Sequence, residues 1–206
     1  MRAWVLLCLA FLVPAQYDSK AGSAPAGADT SSTQTPAYTA DGRLKFPANY
    51  REWIYLTSGV DMSYSPNRMA DHSTFDNVFV NPDSYKAFLQ TGAWPDKTML
   101  VLEVRMAGSQ ASINKNGHFQ TKEIMGHEVH VKDESRFPGK WAFFPFGGDG
   151  PARQVPREAA CYSCHEQHGA VDTTFVQFYP TLIELAKKKG TLSANYQKEK
   201  AANAKK

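Results

Sequence analysis

Five residues late in the chain, Cys161-Tyr162-Ser163-Cys164-His165, limit the possible folds more than any other stretch. Two thiols separated by two residues and followed by histidine form the attachment pattern of a c-type haem. Each sulfur adds across one vinyl group, and His165 can supply the proximal imidazole to iron. Three other readings compete: a redox dithiol, half of a zinc site, or coincidence. A redox dithiol belongs in a βαβ context, and none is evident. A zinc site needs two further ligands at short spacing, and there is no second cysteine pair. The expectation is therefore one covalently attached haem c, held by Cys161 and Cys164, with His165 as the iron ligand.

The motif's place excludes the commonest arrangement. Small electron-transfer cytochromes carry it near the N-terminus with a methionine ligand downstream, yet no methionine follows His165 here. A methionine ligand would have to come from upstream, from Met62, Met69, Met99, Met106 or Met125. Helical-bundle cytochromes c prime also attach haem near the C-terminus, but they are all-α, and this chain alternates at period two through its middle.

Taken in order, Met1-Arg2 followed by the short apolar run Ala3 to Val13 reads as a secretory signal over residues 1–15. Residues 16–43 are rich in Ala, Gly, Ser, Thr and Pro and read as a flexible linker. Phe46, Tyr50, Trp53 and Ile54 recur at helix-like spacing, so a short helix is expected to open the domain at 44. Residues 58–71 read as a loop. Strands are expected at 77–80, 98–106, 125–132 and 140–146, with a helix over 84–90 between the first two. Leu100, Leu102, Val104 and Met106 share one face of their strand. Asn116-Gly117 marks a hairpin. Beyond the haem motif, 173–189 reads as a C-terminal helix, and 190–206 as a solvated lysine-rich tail. The fold class is α+β, mainly antiparallel sheet, with the haem domain spanning 44–189.

Composition adds exclusions. A net charge of +3 among 206 residues, partly owed to the lysine-rich end, is no nucleic-acid footprint. The apolar start is too short to span a membrane, so no membrane span is expected in the mature protein. Of three cysteines, Cys8 lies in the signal and the other two are committed to haem, so no disulfide is expected. Haem attachment outside the cytoplasmic membrane fits a periplasmic location.

Five motifs, in order, carry a resemblance: Phe46-Pro47-x-x-Tyr50-Arg51-x-Trp53, Val80-Asn81-Pro82, Trp94-Pro95-Asp96-x-Thr98, Val131-Lys132-Asp133-x-x-Arg136-Phe137 and Cys161-x-x-Cys164-His165. From about Phe46 to Lys189 the chain resembles the cytochrome P-460 and cytochrome c prime-beta group. The resemblance implies an antiparallel β fold, a homodimer, His165 as proximal ligand and a confined distal pocket. It also implies two branches. The P-460 branch oxidises hydroxylamine and carries a lysine crosslink to the haem. The c prime-beta branch lacks the link and binds gases such as nitric oxide. The crosslinking lysine aligns with Leu102, which cannot form the bond, and this points to the c prime-beta branch. Lys97 and Lys132 are the substitutes if the register differs.

The distal candidates follow. Leu100, Leu102, Phe75 and Phe79 could form an apolar wall that favours binding of a neutral gas. Hydroxylamine oxidation would need a base near iron, and His127 or Glu128 could serve. His127 shares a face with Val129 and Val131 and is expected to point inward, whereas Glu128 alternates outward. His130, His118, His72 and His168 read as surface groups. Arg136 is a candidate partner for a haem propionate. Three functions stay open: a nitric oxide binder, an oxidoreductase acting on hydroxylamine, nitric oxide or peroxide, and a His/Met electron carrier with a periplasmic partner.

Overall fold

The computed structural model describes residues 34–63 and 73–204. The signal segment, the linker up to residue 33, Met69 and His72 lie outside the described residues. Five strands form one antiparallel sheet in sequence order: β1 (Ile54–Val60), β2 (Thr74–Val80), β3 (Met99–Gly108), β4 (Phe119–Lys132) and β5 (Trp141–Phe146). Four helices complete the α+β fold: α1 (Pro82–Thr91), α2 (Ala160–His168), α3 (Ile183–Lys189) and α4 (Ala194–Asn203).

The sheet separates two cores because β3 and β5 bury apolar side chains on both sides. On the far face, Met99, Val101, Val129, Val131, Phe144 and Phe146 pack against Leu44, Tyr50, Trp53 and Phe137. On the near face, Val80, Leu100 and Trp141 pack against Phe88, Trp94, Val171, Val176 and Leu182. Successive side chains on a strand point to opposite faces, so Leu100 and Val101 belong to different cores.

Local chemistry sets the element ends. Helix α1 has Pro82 at its first turn, where the missing N–H costs no hydrogen bond. It stops at Gly92, whose φ of 75° is the left-handed cap that glycine adopts freely. Between α1 and β3, Asn81 Oδ1 accepts the Met99 N–H at 2.8 Å, and the Thr98 hydroxyl donates to the Pro95 carbonyl at 2.7 Å. These bonds account for Asn81, Pro95 and Thr98 within their motifs.

Five expectations change. The opening helix is one 3-10 turn, Tyr50–Glu52, and Ile54 already begins β1. The run Ile54-Tyr55-Leu56-Thr57 is rich in strand formers, and this outweighs a few helically spaced aromatics. The segment expected as a loop from 58 therefore starts with the end of β1. The 173–189 helix is broken, with a 3-10 turn at Val176–Phe178 and α3 only from Ile183. Pro180 intervenes and cannot extend a helix through its ring. The stretch after 190 holds a capped helix that buries no residue and stays largely solvated. Ser193 accepts the Tyr196 N–H at α4's start, and Tyr196 packs against the near core. Order also begins before 44, since Tyr38 bridges Leu44 and packs on the far core.

Candidate haem site

Helix α2 presents the motif. Residues three and four apart are neighbours on a helix, so Cys161, Cys164 and His165 share one side. Neither cysteine is in a disulfide; Cys161 is exposed and Cys164 half-buried. Tyr162 is buried beside them. Its hydroxyl donates to the Val155 carbonyl at 3.0 Å, and its ring meets Phe143 edge-on at 4.9 Å. The spacer residue thus anchors α2 to β5.

His165 is held from several directions. Its Nδ1 lies 2.7 Å from the Thr173 carbonyl oxygen. A carbonyl only accepts, so Nδ1 carries the proton and Nε2 keeps its lone pair for a metal. The ring packs on Phe175 at 4.2 Å and edge-on to Phe143 at 4.5 Å. Burial holds its pKa below the usual histidine value, with the Thr173 bond opposing. Neutral imidazole is the form that ligates iron.

Residues directly opposed across the ladder share a face, so the register arranges the near face in rows. Val80, Leu100, His130 and Phe143 form the first row. His130 and Phe143 touch His165. Val78, Leu102, Glu128 and Pro145 form the second, about 7 Å further along the strands at two residues' rise. Asp76, Val104 and Gly126 form the third. The first row is buried, whereas every member of the second and third is half-buried or exposed. Beside His165, therefore, the sheet offers an uncovered surface that is apolar apart from two carboxylates. Desolvation raises the pKa of Glu128. Asp76 is raised by burial first, then by Asp61 and Glu128.

Residues 47–176, well over half the chain, match the family model described as Cytochrome P460. The chain belongs to the cytochrome P460 family. No curated protein matches it. Membership makes it a c-type haem protein with one covalent haem c.

This chain's residues fit that group. Two unpaired thiols lie one helical turn apart, the adjacent imidazole has its Nδ1 proton fixed and Nε2 free of it, and uncovered apolar strand surface lies alongside. Cys161 and Cys164 would hold the haem covalently and His165 would ligate its iron. Among the described residues, no group of three or more His, Cys, Asp or Glu could hold a separate metal ion.

The remaining site expectations fare unequally. Leu102 and Glu128 stand opposite each other on the near face, so Glu128 faces the haem side rather than away. His127 lies on the far face. Its Nε2 is 2.9 Å from the Tyr50 hydroxyl, and its ring packs on Phe46 at 4.8 Å. It does point inward, but into the other core. Phe79 also faces that side, 5.5 Å from the Tyr50 ring, and Phe75 shares its phase on β2. These three residues are thus separated from the haem motif by the sheet. Arg136 is remote as well, stacked 3.9 Å from the Tyr38 ring centroid on the far side. Lys97 pairs with Asp133, and buried Lys132 pairs with Asp172 at 3.1 Å, so both proposed crosslinking substitutes are engaged elsewhere.

His130, expected at the surface, is buried and stacked on Phe143 at 4.1 Å. His118 is exposed as expected, and half-buried His168 pairs with Glu199 of α4. The sequence reading missed His130, Lys132, Thr173 and Asp76. The period-two phase of β4 contained the signal for His130 and Lys132, which alternate with Glu128 on one face.

Proposed function

We propose that this haem c protein binds a small nitrogen-oxide ligand such as nitric oxide, with His165 as proximal ligand. The observation that carries the reading is Leu102. It sits on the haem-side face between Val78 and Glu128, at the position where the family resemblance expects the crosslinking lysine of the P-460 branch. Leucine offers no nitrogen for that bond, and with Val78 and Val104 it supplies an apolar surface. Haem iron, when bound, supplies a coordination position, and the polarity of its surroundings decides between binding and activation. Apolar neighbours exclude water and favour retention of a neutral ligand. The secretory-type start supports export to the periplasm, and the family resemblance supports a homodimer. Among the described residues no helix is long and apolar enough to cross a membrane.

Titrating the reduced protein with nitric oxide tests the reading. A saturable change in the haem absorption bands at low micromolar ligand is expected. Unchanged bands would reject it.

Glu128 supports a second reading, oxidation of hydroxylamine. This carboxyl faces the haem side, and desolvation raises its proton affinity, as a base taking protons near neutral pH requires. Turnover of hydroxylamine with an artificial electron acceptor, abolished by Glu128→Gln, is the expected result. Turnover that survives the substitution sinks that mechanism. For a His/Met carrier, Met99 is buried in the far core, whereas Met106 shares the phase of Leu102 on β3.

A further inference from the structure

We propose that His130 and Lys132 position the iron ligand by clamping the loop whose Thr173 carbonyl holds the His165 ring. The inference rests on His165 being the proximal ligand.

The two clamp residues are two apart on β4 and therefore reach the same face. Lys132 Nζ donates to Asp172 Oδ2 at 3.1 Å and to the Trp94 carbonyl at 2.7 Å. His130 Nε2 lies 3.3 Å from the Thr173 hydroxyl. Adjacent loop residues, 172 and 173, are thus gripped by adjacent near-face positions of one strand. The strand itself is fixed by its ladder to β3 and β5.

Neither grip has much freedom. The His130 ring is stacked on Phe143 with planes 17° apart and packs on Trp141 at 4.5 Å. Trp94 Nε1 donates to the Thr174 hydroxyl at 2.8 Å, and that hydroxyl donates to the Val171 carbonyl at 2.7 Å. Asp172 has a φ of 51°, a left-handed conformation that a non-glycine residue adopts at a cost. Lys132 is the partner that ties its side chain down. A buried lysine is otherwise expensive, and methionine could fill the same space.

The consequence for the ligand is electronic as well as steric. A fixed acceptor on Nδ1–H orients the imidazole and increases its basicity. A more basic, better-aligned imidazole stabilises ferric over ferrous iron. Loosening the loop should therefore weaken the iron–histidine bond and raise the reduction potential. A loop that serves only packing would leave both unchanged.

The test uses the haem-loaded protein and the variants Thr173→Val, His130→Phe and Lys132→Met. Two quantities are read: the iron–histidine stretching frequency of the ferrous form by resonance Raman, and the reduction potential by spectroelectrochemistry. All three variants should lower the frequency and raise the potential. Thr173→Val combined with His130→Phe should shift them no further than either alone, because both remove one contact. Thr173→Val is nearly isosteric and carries the test if either β4 variant does not fold. Wild-type frequency and potential in a variant with full haem content would overturn the clamp. An iron–histidine band absent from the wild type, or persisting in His165→Gly, would instead overturn the assignment of His165, and the clamp with it.

Discussion

Leu102 on β3 and Glu128 on β4 are directly opposed in the ladder, so an aliphatic side chain and a carboxyl share the haem-side face of the sheet. Each neighbour modifies the other's chemistry. The leucine and nearby chain reduce hydration of the carboxylate, and the carboxylate is the nearest charge along an otherwise apolar row. An apolar surface and a proton acceptor are thus built from the same two strands, and the balance between them is open to substitution.

Replacing Glu128 by glutamine should stabilise the protein slightly at neutral pH, the effect being small because Glu128 is exposed and solvent screens it. Desolvation raises the folded-state pKa above 4.5, so the native state binds more protons than the unfolded chain between the two values. Stability then falls as pH rises through that window. Glutamine has no such titration. Urea melts should show Glu128→Gln above the wild type at pH near 7, with the gain vanishing below the ordinary glutamate pKa. The same variant should lower the pKa of Asp76, which the Glu128 charge helps to raise; carboxyl NMR titration checks it.

His127→Gln should leave the haem spectrum and nitric oxide titration unchanged. The side chain is on the far face, bonded to Tyr50. Its replacement should cost only about 0.5–1.5 kcal/mol, the usual net value of one hydrogen bond. A shift in the haem bands would mean that the sheet does not separate His127 from the site.

The His127 placement shows where sequence reasoning stopped. Alternation on β4 correctly divides His127, Val129 and Val131 from Glu128, His130 and Lys132, and it signals that His127 points into a core. It does not say which core. Val129 through Lys132 are all buried, because both faces of β4 are covered there, so the apolar phase of Val129 and Val131 does not tell which of the two cores they enter. Counting back from the Asn116-Gly117 turn does not resolve the phase, because the β3–β4 register shifts near Arg105. The antiparallel sheet and α1 were legible because their periodicity is local, and the haem motif because its residues are adjacent; that the motif lies on a helix was not read from the sequence. The grip of Lys132 on Asp172 spans 40 residues and has no local signature.

Glu103→Ala should be among the most destabilising single changes. Glu103 is only 1% exposed, on the far face. It accepts bonds from Tyr50, Arg51 and Asn77, and both Nε and Nη2 of Arg105 at 2.9 Å. Arg51 can turn to water, but Arg105 is buried and would keep an unpaired charge. Removing one partner of such a pair costs about 3–5 kcal/mol. A large drop in urea midpoint is expected in denaturation melts, and a loss below about 1 kcal/mol would show that water reaches Arg105 readily.

Gly169→Ala should damage the site through the backbone. Gly169 caps α2 with its N–H on the His165 carbonyl at 2.9 Å. A β-carbon there would lie 2.7 Å from that same oxygen and 2.9 Å from both Thr173 C and Thr174 N. These are backbone atoms, so relief requires α2 and the 172–174 segment to move apart. That motion stretches the bond between His165 Nδ1 and the Thr173 carbonyl directly. Overpacking of this kind costs about 1–3 kcal/mol. The expected result is a lower melting temperature together with a weaker iron–histidine stretch in the haem-loaded protein. A variant that melts early but keeps the wild-type stretch would place the relief elsewhere in the loop and leave the His165–Thr173 bond intact.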